Sequence, residues 1–480
     1  MELSNDEKLE KLRLKELKIA RSSLLEFTTH TFPQYEVNWH HRLICDTLDR
    51  FVHTNEIPRL MIFAPPRMGK SELVSRRLPA FILGHNPDNK IIACSYSADL
   101  ASMMNRDVQR IIDSDEYRQL FPSVRLAGDQ KGDQRWVRTS DLFEIVGKRG
   151  AYRSAGVGGG ITGTGGNYLI LDDLIKNQEE ADSPTMRKKV WDWYCTTAYT
   201  RLEKEGKVCV MLTRWNEDDI AGRLLEQAKK DPEADQWHIL KLPAFCEEGK
   251  HPNDPRQPGE SLWPNKYSPQ RMNAIKASIG LRAWNALFQQ RPSSETGGIL
   301  KRACWNYYDS MPTKFDSIIQ SWDMTFKGKE TSDYVAGQVW GTVGANCYLL
   351  DYFMEQITFS KSLKAVRTMT QKWPGARAKL VEDKANGTAV VDVLKDEISG
   401  LILVEPKGGK VARVHAMSPL HEAGNLWLPK PEKAPWVLEF VESCANFPNA
   451  AHDDDVDAMS QAILYLGGDP RKKLMDMLRY

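Results

Sequence analysis

A chain of 480 residues, 41% of them hydrophobic and with glycine and proline at globular levels, is too long for one ordinary core and too apolar for disorder. Its formal charge of +1 excludes nucleic-acid binding by global attraction and leaves that task to local basic patches. Eight cysteines stand singly, without a C-x-x-C pair or an apolar leader, and no apolar run is long enough for a bilayer; the expectation is reduced thiols in a cytosolic protein with no membrane contact, not a zinc ribbon or disulfide framework.

In chain order, residues 1–57 open with a charged helical stretch whose apolar positions are Leu9, Leu12, Leu14, Leu17 and Ile19. It suits a solvated helix packed on the domain or an arm for a partner. Residues 58–243 then alternate short apolar strands with longer amphipathic helices. The strands are expected at Leu60–Phe63, Ile91–Ser95, Phe143–Val146, Tyr168–Leu171 and Val208–Leu212. Such alternation predicts a parallel sheet covered by helices, with its ligand at the carboxyl ends of the strands. Residues 244–310 are polar and turn-rich and are assigned to a linker or lid. A second α/β segment, 311–467, begins with an apparent antiparallel meander, and 468–480 form a basic-leaning tail.

The first strand runs into Ala64-Pro65-Pro66-Arg67-Met68-Gly69-Lys70-Ser71, an imperfect Walker A loop with alanine in place of its first glycine. In such a loop, backbone N–H groups from Pro66 onward to Ser71 (proline itself lacking one) surround phosphate, Lys70 neutralises charge on ATP, and Ser71 ligates Mg²⁺. Tyr168–Leu171 ends in Asp172-Asp173, suited to holding Mg²⁺ through Asp172 and orienting the attacking water through Asp173. Between the two lie seven glycines in the eleven positions 156–166, a loop that lets another molecule approach the backbone closely. Thr213 ends the next strand, placed to sense the γ-phosphate. Arg67 is a candidate for stabilising transition-state charge, and Arg214 has a plainer reading as an ion pair with Glu217, Asp218 or Asp219.

Downstream, Asp323 ends an apolar strand, Glu382-Asp383 ends another, and Asp453, Asp454 and Asp457 open a helix on which Asp453 and Asp457 share a face. Separated acids at strand ends and a helix start suit a two-metal phosphodiester hydrolase using Mg²⁺ or Mn²⁺. An acidic helix start also complements the helix dipole without any metal.

Taken in order, Trp39-His40-His41, Ala64–Glu72, Ser95-Tyr96-Ser97, Gly158–Gly163, Leu169–Asp173, Thr213–Leu224, Leu262-Trp263-Pro264, Gln289–Pro292, Ser321-Trp322-Asp323, Val381–Gly387 and His452–Ala458 resemble the large terminase subunit of tailed bacteriophages. The resemblance covers most of the chain. It implies an α/β protein: an N-terminal P-loop ATPase of the ASCE type joined to a C-terminal RNase H-like nuclease. By motif position it implies that Lys70 and Ser71 bind phosphate and Mg²⁺, that Asp172 is the Walker B acid and that Thr213 lies in the coupling motif. It sets Trp39 near the adenine, with a core aromatic as the other reading, and gives the nuclease metals to Asp323, Glu382 and either Asp453 or Asp454. Two positions depart from the family: aspartate at 173 where glutamate is usual, and Thr164 where many members carry an arginine finger. Arg149 or Arg153 in trans, or Arg67 in cis, would then supply the finger.

The implied partners are double-stranded DNA, the portal protein and a small terminase subunit. The chain would form a ring on the portal and be monomeric in isolation, working in the host cytoplasm and at the procapsid vertex. Lys407, Lys410 and Arg413, with Lys384 beside the acids, form the candidate phosphate-contacting patch. The competing reading is a helicase–nuclease of DNA repair, which would share both chemistries; a non-catalytic scaffold sits poorly with Lys70 and all the acids intact.

Overall fold

The computed structural model describes residues 5–128, 132–247, 250–293, 298–324, 333–383, 385–406, 408–448 and 452–468. Lys384, Lys407 and the tail beyond Gly468 lie outside the described residues. The chain divides into two units, Met1–Pro292 and Ser293–Tyr480.

The first unit is built on a seven-stranded sheet of β1 (Arg59–Phe63), β2 (Lys90–Ser95), β3 (Leu142–Glu144), β4 (Ala151–Gly156), β5 (Gly166–Asp172), β6 (Leu202–Leu212) and β7 (His238–Lys241), in the order β3-β4-β2-β5-β6-β1-β7. All pairs are parallel except β3–β4. The central strands are continuous apolar runs because both faces are covered. Leu60 and Ile62 of β1 and Tyr168 and Ile170 of β5 enter one core, while Met61, Phe63, Leu169 and Leu171 enter the other. Each such side chain contributes about 1.5–3 kcal/mol by leaving water. β6 stands between β1 and β5, so an additional strand separates the two motif-bearing strands and carries its own end, Thr213, between them. The described residues between 244 and 292 belong to this unit, with Leu262, Trp263, Met272 and Trp284 buried in its first core.

The second unit holds another seven-stranded sheet: β8 (Asn306–Tyr308), β9 (Ser317–Met324), β10 (Asp333–Val343), β11 (Asn346–Ile357), β12 (Ala378–Glu382), β13 (Leu401–Val404) and β14 (Leu426–Pro429), in the order β13-β12-β9-β10-β11-β14-β8. β9, β10 and β11 form the antiparallel meander, and β12 then pairs parallel to β9. The helix Asp454–Leu466 packs over this sheet: Ser321 donates to the Ala458 carbonyl at 2.7 Å, and Gln461 donates to the Ser321 hydroxyl at 2.9 Å. No helix among the described residues is long and apolar enough to cross a membrane.

Candidate functional site

The first centre lies at the carboxyl ends of β1, β5 and β6. After β1 the chain turns through Arg67 and Gly69, at φ of 63° and 81°, and enters a π-helical turn, Glu72–Arg77, that runs into the helix Leu78–His85. Gly69 is required twice over: its backbone is left-handed, and a Cβ there would lie 2.6 Å from His41 Nε2. The loop is braced from behind, because His40 Nε2 and His41 Nε2 each lie 3.2 Å from the Met68 carbonyl. His41 also packs edge-on against Trp263. Burial holds both imidazoles neutral, with His40 pushed down to about 3 and His41 to about 4.

Lys70 is 5% exposed. Its ammonium donates to Thr213 Oγ1 at 2.5 Å and to the Ala64 carbonyl at 3.2 Å, and it stands 4.0 Å from Asp173 Oδ2. The Thr213 backbone N–H in turn donates to Asp173 Oδ1 at 2.6 Å. The loop lysine, the end of β6 and the second acid thus form one connected chain of contacts.

Asp172 is buried, and its Oδ2 accepts from Ser75 Oγ at 2.5 Å. Among the described residues its Oδ1 is buried with no hydrogen-bond partner. Burial first, and the adjacent Asp173 second, raise its carboxyl to about 7, with Ser75, Lys70 and Ser71 opposing. A buried carboxylate with one idle oxygen, next to a serine at a phosphate loop, fits Mg²⁺, whose charge would offset that cost. Ser75 escaped the sequence reading; its position four residues after Ser71, on the same helical face, was the available signal.

Arg67 is exposed at the loop tip, and its carbonyl accepts from Lys266 at 3.4 Å. Trp39, the first residue of the helix Trp39–His53, is half-buried, with the Arg256 guanidinium 5.2 Å from its ring centre. Arg214 pairs with the buried Asp219 at 2.5 Å. Arg153 donates to the Gly160 carbonyl at 2.9 Å, and Arg149 is exposed.

The second centre lies at the carboxyl ends of β9 and β12. The register pairs Val381 with Trp322, so Glu382 stands one step on beside Asp323, and both are buried. Asp383 is exposed and accepts from Thr388 at 2.9 Å. Asp453 precedes the helix Asp454–Leu466. Asp457, one turn in, is buried and bound on both oxygens: Oδ1 by Arg413 Nη2 at 2.7 Å and Oδ2 by Lys410 Nζ at 2.6 Å. Lys410 also reaches Asp453 Oδ1 at 2.7 Å, and Arg413 stands 3.6 Å from Glu382 Oε1. Burial, then Asp453, raises Asp454 to about 6, and burial raises Asp457 despite its cations. The donor set is hard carboxylate oxygen, which suits Mg²⁺ or Mn²⁺. Among the described residues no three acids, histidines or cysteines converge closely enough to grip one ion. Lys410 and Arg413, expected to face DNA, instead lie against these acids.

Comparison with known proteins gives the family of each unit. The family model for the N-terminal domain of T4-like-virus-type terminase large subunits matches residues 61–301, half of the chain, and the model for the terminase RNaseH-like domain matches residues 320–466. No curated protein matches. Among solved structures, the large terminase of the thermophilic bacteriophage D6E in complex with ATP-γ-S is 9% identical at a TM-score of 0.32, covering 87% of this chain and 97% of that one. The large terminase nuclease domain of bacteriophage SPP1 with bound Mn is 16% identical at a TM-score of 0.26, covering 33% and 94%. The two family models carry the assignment: this chain belongs to the terminase large-subunit family, in which a DNA-packaging ATPase is joined to an RNase H-like nuclease.

Proposed function

We propose that the first centre hydrolyses ATP to drive double-stranded DNA into a procapsid and that the second cuts the concatemer. The observation that carries the first part is the connected set Lys70–Thr213–Asp173 beside the idle oxygen of Asp172. The backbone from Pro66 to Ser71 cradles the phosphates, and Lys70 moves from Thr213 to the β- and γ-phosphate oxygens. Ser71 and Asp172 would hold Mg²⁺, which would supply positive charge at the phosphates. Asp173 orients the attacking water. Thr213, released by Lys70, reports nucleotide occupancy to β6. Arg67 reaches the γ-phosphate in cis, and the Trp39–His41 segment braces the loop at the adenine side.

In the second centre, Asp323 and Glu382 from adjacent strands, with Asp457 and its neighbours Asp453 and Asp454, form the nuclease ligand set; Asp383 flanks it. Divalent ions held by these residues would supply an activated water and positive charge for the leaving oxygen. DNA is contacted through phosphate, since a packaging motor must move any sequence. The chain works as a ring on the portal protein, in the host cytoplasm, with a small subunit choosing the DNA.

The test is packaging itself. Purified procapsids, the chain and ATP should protect linear duplex DNA from added nuclease, with both strands kept paired. ATP-driven strand displacement without protection would favour the helicase–nuclease reading instead.

A further inference from the structure

The helix Lys410–Glu422 begins with a cation and carries a second in its first turn, with no acid there to balance them. Cations at a helix start oppose its dipole, so helix stability does not explain them. Their contacts do. Asp457 is buried, and a lone carboxylate there would be costly. Lys410 and Arg413 occupy both of its oxygens, and each extends to one further acid, Asp453 or Glu382. The acids of the second centre are therefore adjacent but not converged, with two side-chain cations among them.

We propose that Lys410 and Arg413 are a built-in counterion latch, which keeps the nuclease centre folded and metal-poor until a divalent ion displaces them from Asp457. This rests on the nuclease reading of Asp323, Glu382 and Asp457. A metal ion that takes an Asp457 oxygen must break an ion pair with one of these two residues, so metal affinity is set by competition. The latch also spares the fold an uncompensated buried charge when metal is absent.

The latch is tested by calorimetric titration of Mn²⁺ into the nucleotide-free full chain. Lys410 is 41% exposed along its side chain, so Lys410→Met should fold. Loss of one half-exposed competitor should tighten Mn²⁺ binding about fivefold. Lys410→Arg should bind Mn²⁺ as the parent does, and Arg413→Met should tighten binding in the same direction as Lys410→Met. Unchanged or weaker binding in both methionine variants would overturn the latch. Asp323→Ala separates that failure from failure of the nuclease reading: it should weaken Mn²⁺ binding, and if it does not, the ion lies elsewhere and both readings fall.

Discussion

The two acidic centres solve the same electrostatic problem in opposite ways. Asp172 is buried with one oxygen idle, next to a phosphate loop already shaped by Gly69 and braced by His40 and His41. Asp457 is equally buried but has a cation beside each oxygen, Lys410 Nζ at 2.6 Å from Oδ2 and Arg413 Nη2 at 2.7 Å from Oδ1. The first centre is preorganised for a cation that arrives with its nucleotide. The second is neutralised from within, by side-chain cations of its own chain. A centre left open and a centre held shut can share one chain only if each can be disabled without the other.

The sharpest break in that comparison would come from Lys70→Ala. It removes the ammonium that links Ala64, Thr213 and Asp173, and ATP hydrolysis should fall by on the order of a thousandfold. Mn²⁺-dependent cutting of plasmid DNA should persist. Asp323→Ala should do the reverse, stopping cleavage while phosphate release from ATP continues. Parallel loss of both activities in either variant would show that the centres are not separable.

The pH dependence of stability sharpens the contrast further. The Asp172 carboxyl sits near 7 when folded against 3.8 as its ordinary value, because burial and Asp173 disfavour the charge. The folded chain therefore holds a proton that the unfolded chain has lost between about pH 4 and pH 7, so this group's contribution to stability falls as pH rises through that window. In the metal-free protein Asp172→Asn should flatten that decline, by on the order of 4 kcal/mol at pH 8, read from denaturant unfolding. Mg²⁺ with a nucleotide should flatten it in the parent protein, by favouring the charged form. A decline unaltered by the substitution would place the titration elsewhere.

Much of this was legible in the sequence, for identifiable reasons. Strands buried on both faces are continuous apolar runs, so β1, β2, β5 and β6 stood out, and their acidic or polar ends marked the site. The short strands β4 and β7 did not, because Ala151–Gly156 contains Arg153 and two serine or glycine positions, and His238–Lys241 is only four residues long. The edge strand β3 falls at Leu142–Glu144, starting one residue and ending two residues before the expected Phe143–Val146, and runs antiparallel. The acids of the second centre were visible as strand and helix ends. What they pair with was not: Arg413 meets Asp457 across 44 positions, and nothing local to Lys410-Val411-Ala412-Arg413 says whether its cations face DNA or fold inward. The packing of Trp263 against His41, one of the two histidines that brace the loop, is hidden for the same reason.

Thr213→Val offers the finest cut. Valine keeps the shape of threonine and the backbone N–H that Asp173 Oδ1 accepts from, and it deletes only the hydroxyl that Lys70 holds. If that hydroxyl is a resting place for the lysine, its loss frees Lys70 for phosphate, and nucleotide binding should hold or improve slightly. If the bond instead re-forms in each cycle to carry nucleotide state into β6, hydrolysis should slow about fivefold, matching a single side-chain hydrogen bond of about 1 kcal/mol. The coupling role assigned to Thr213 predicts the second outcome, with packaging rate falling further than ATP hydrolysis. Steady-state kinetics on the free chain and on the procapsid-bound chain measure the two quantities separately. An equal fall in both would make Thr213 a partner in chemistry alone, and the preorganised centre would then be complete without any link to β6.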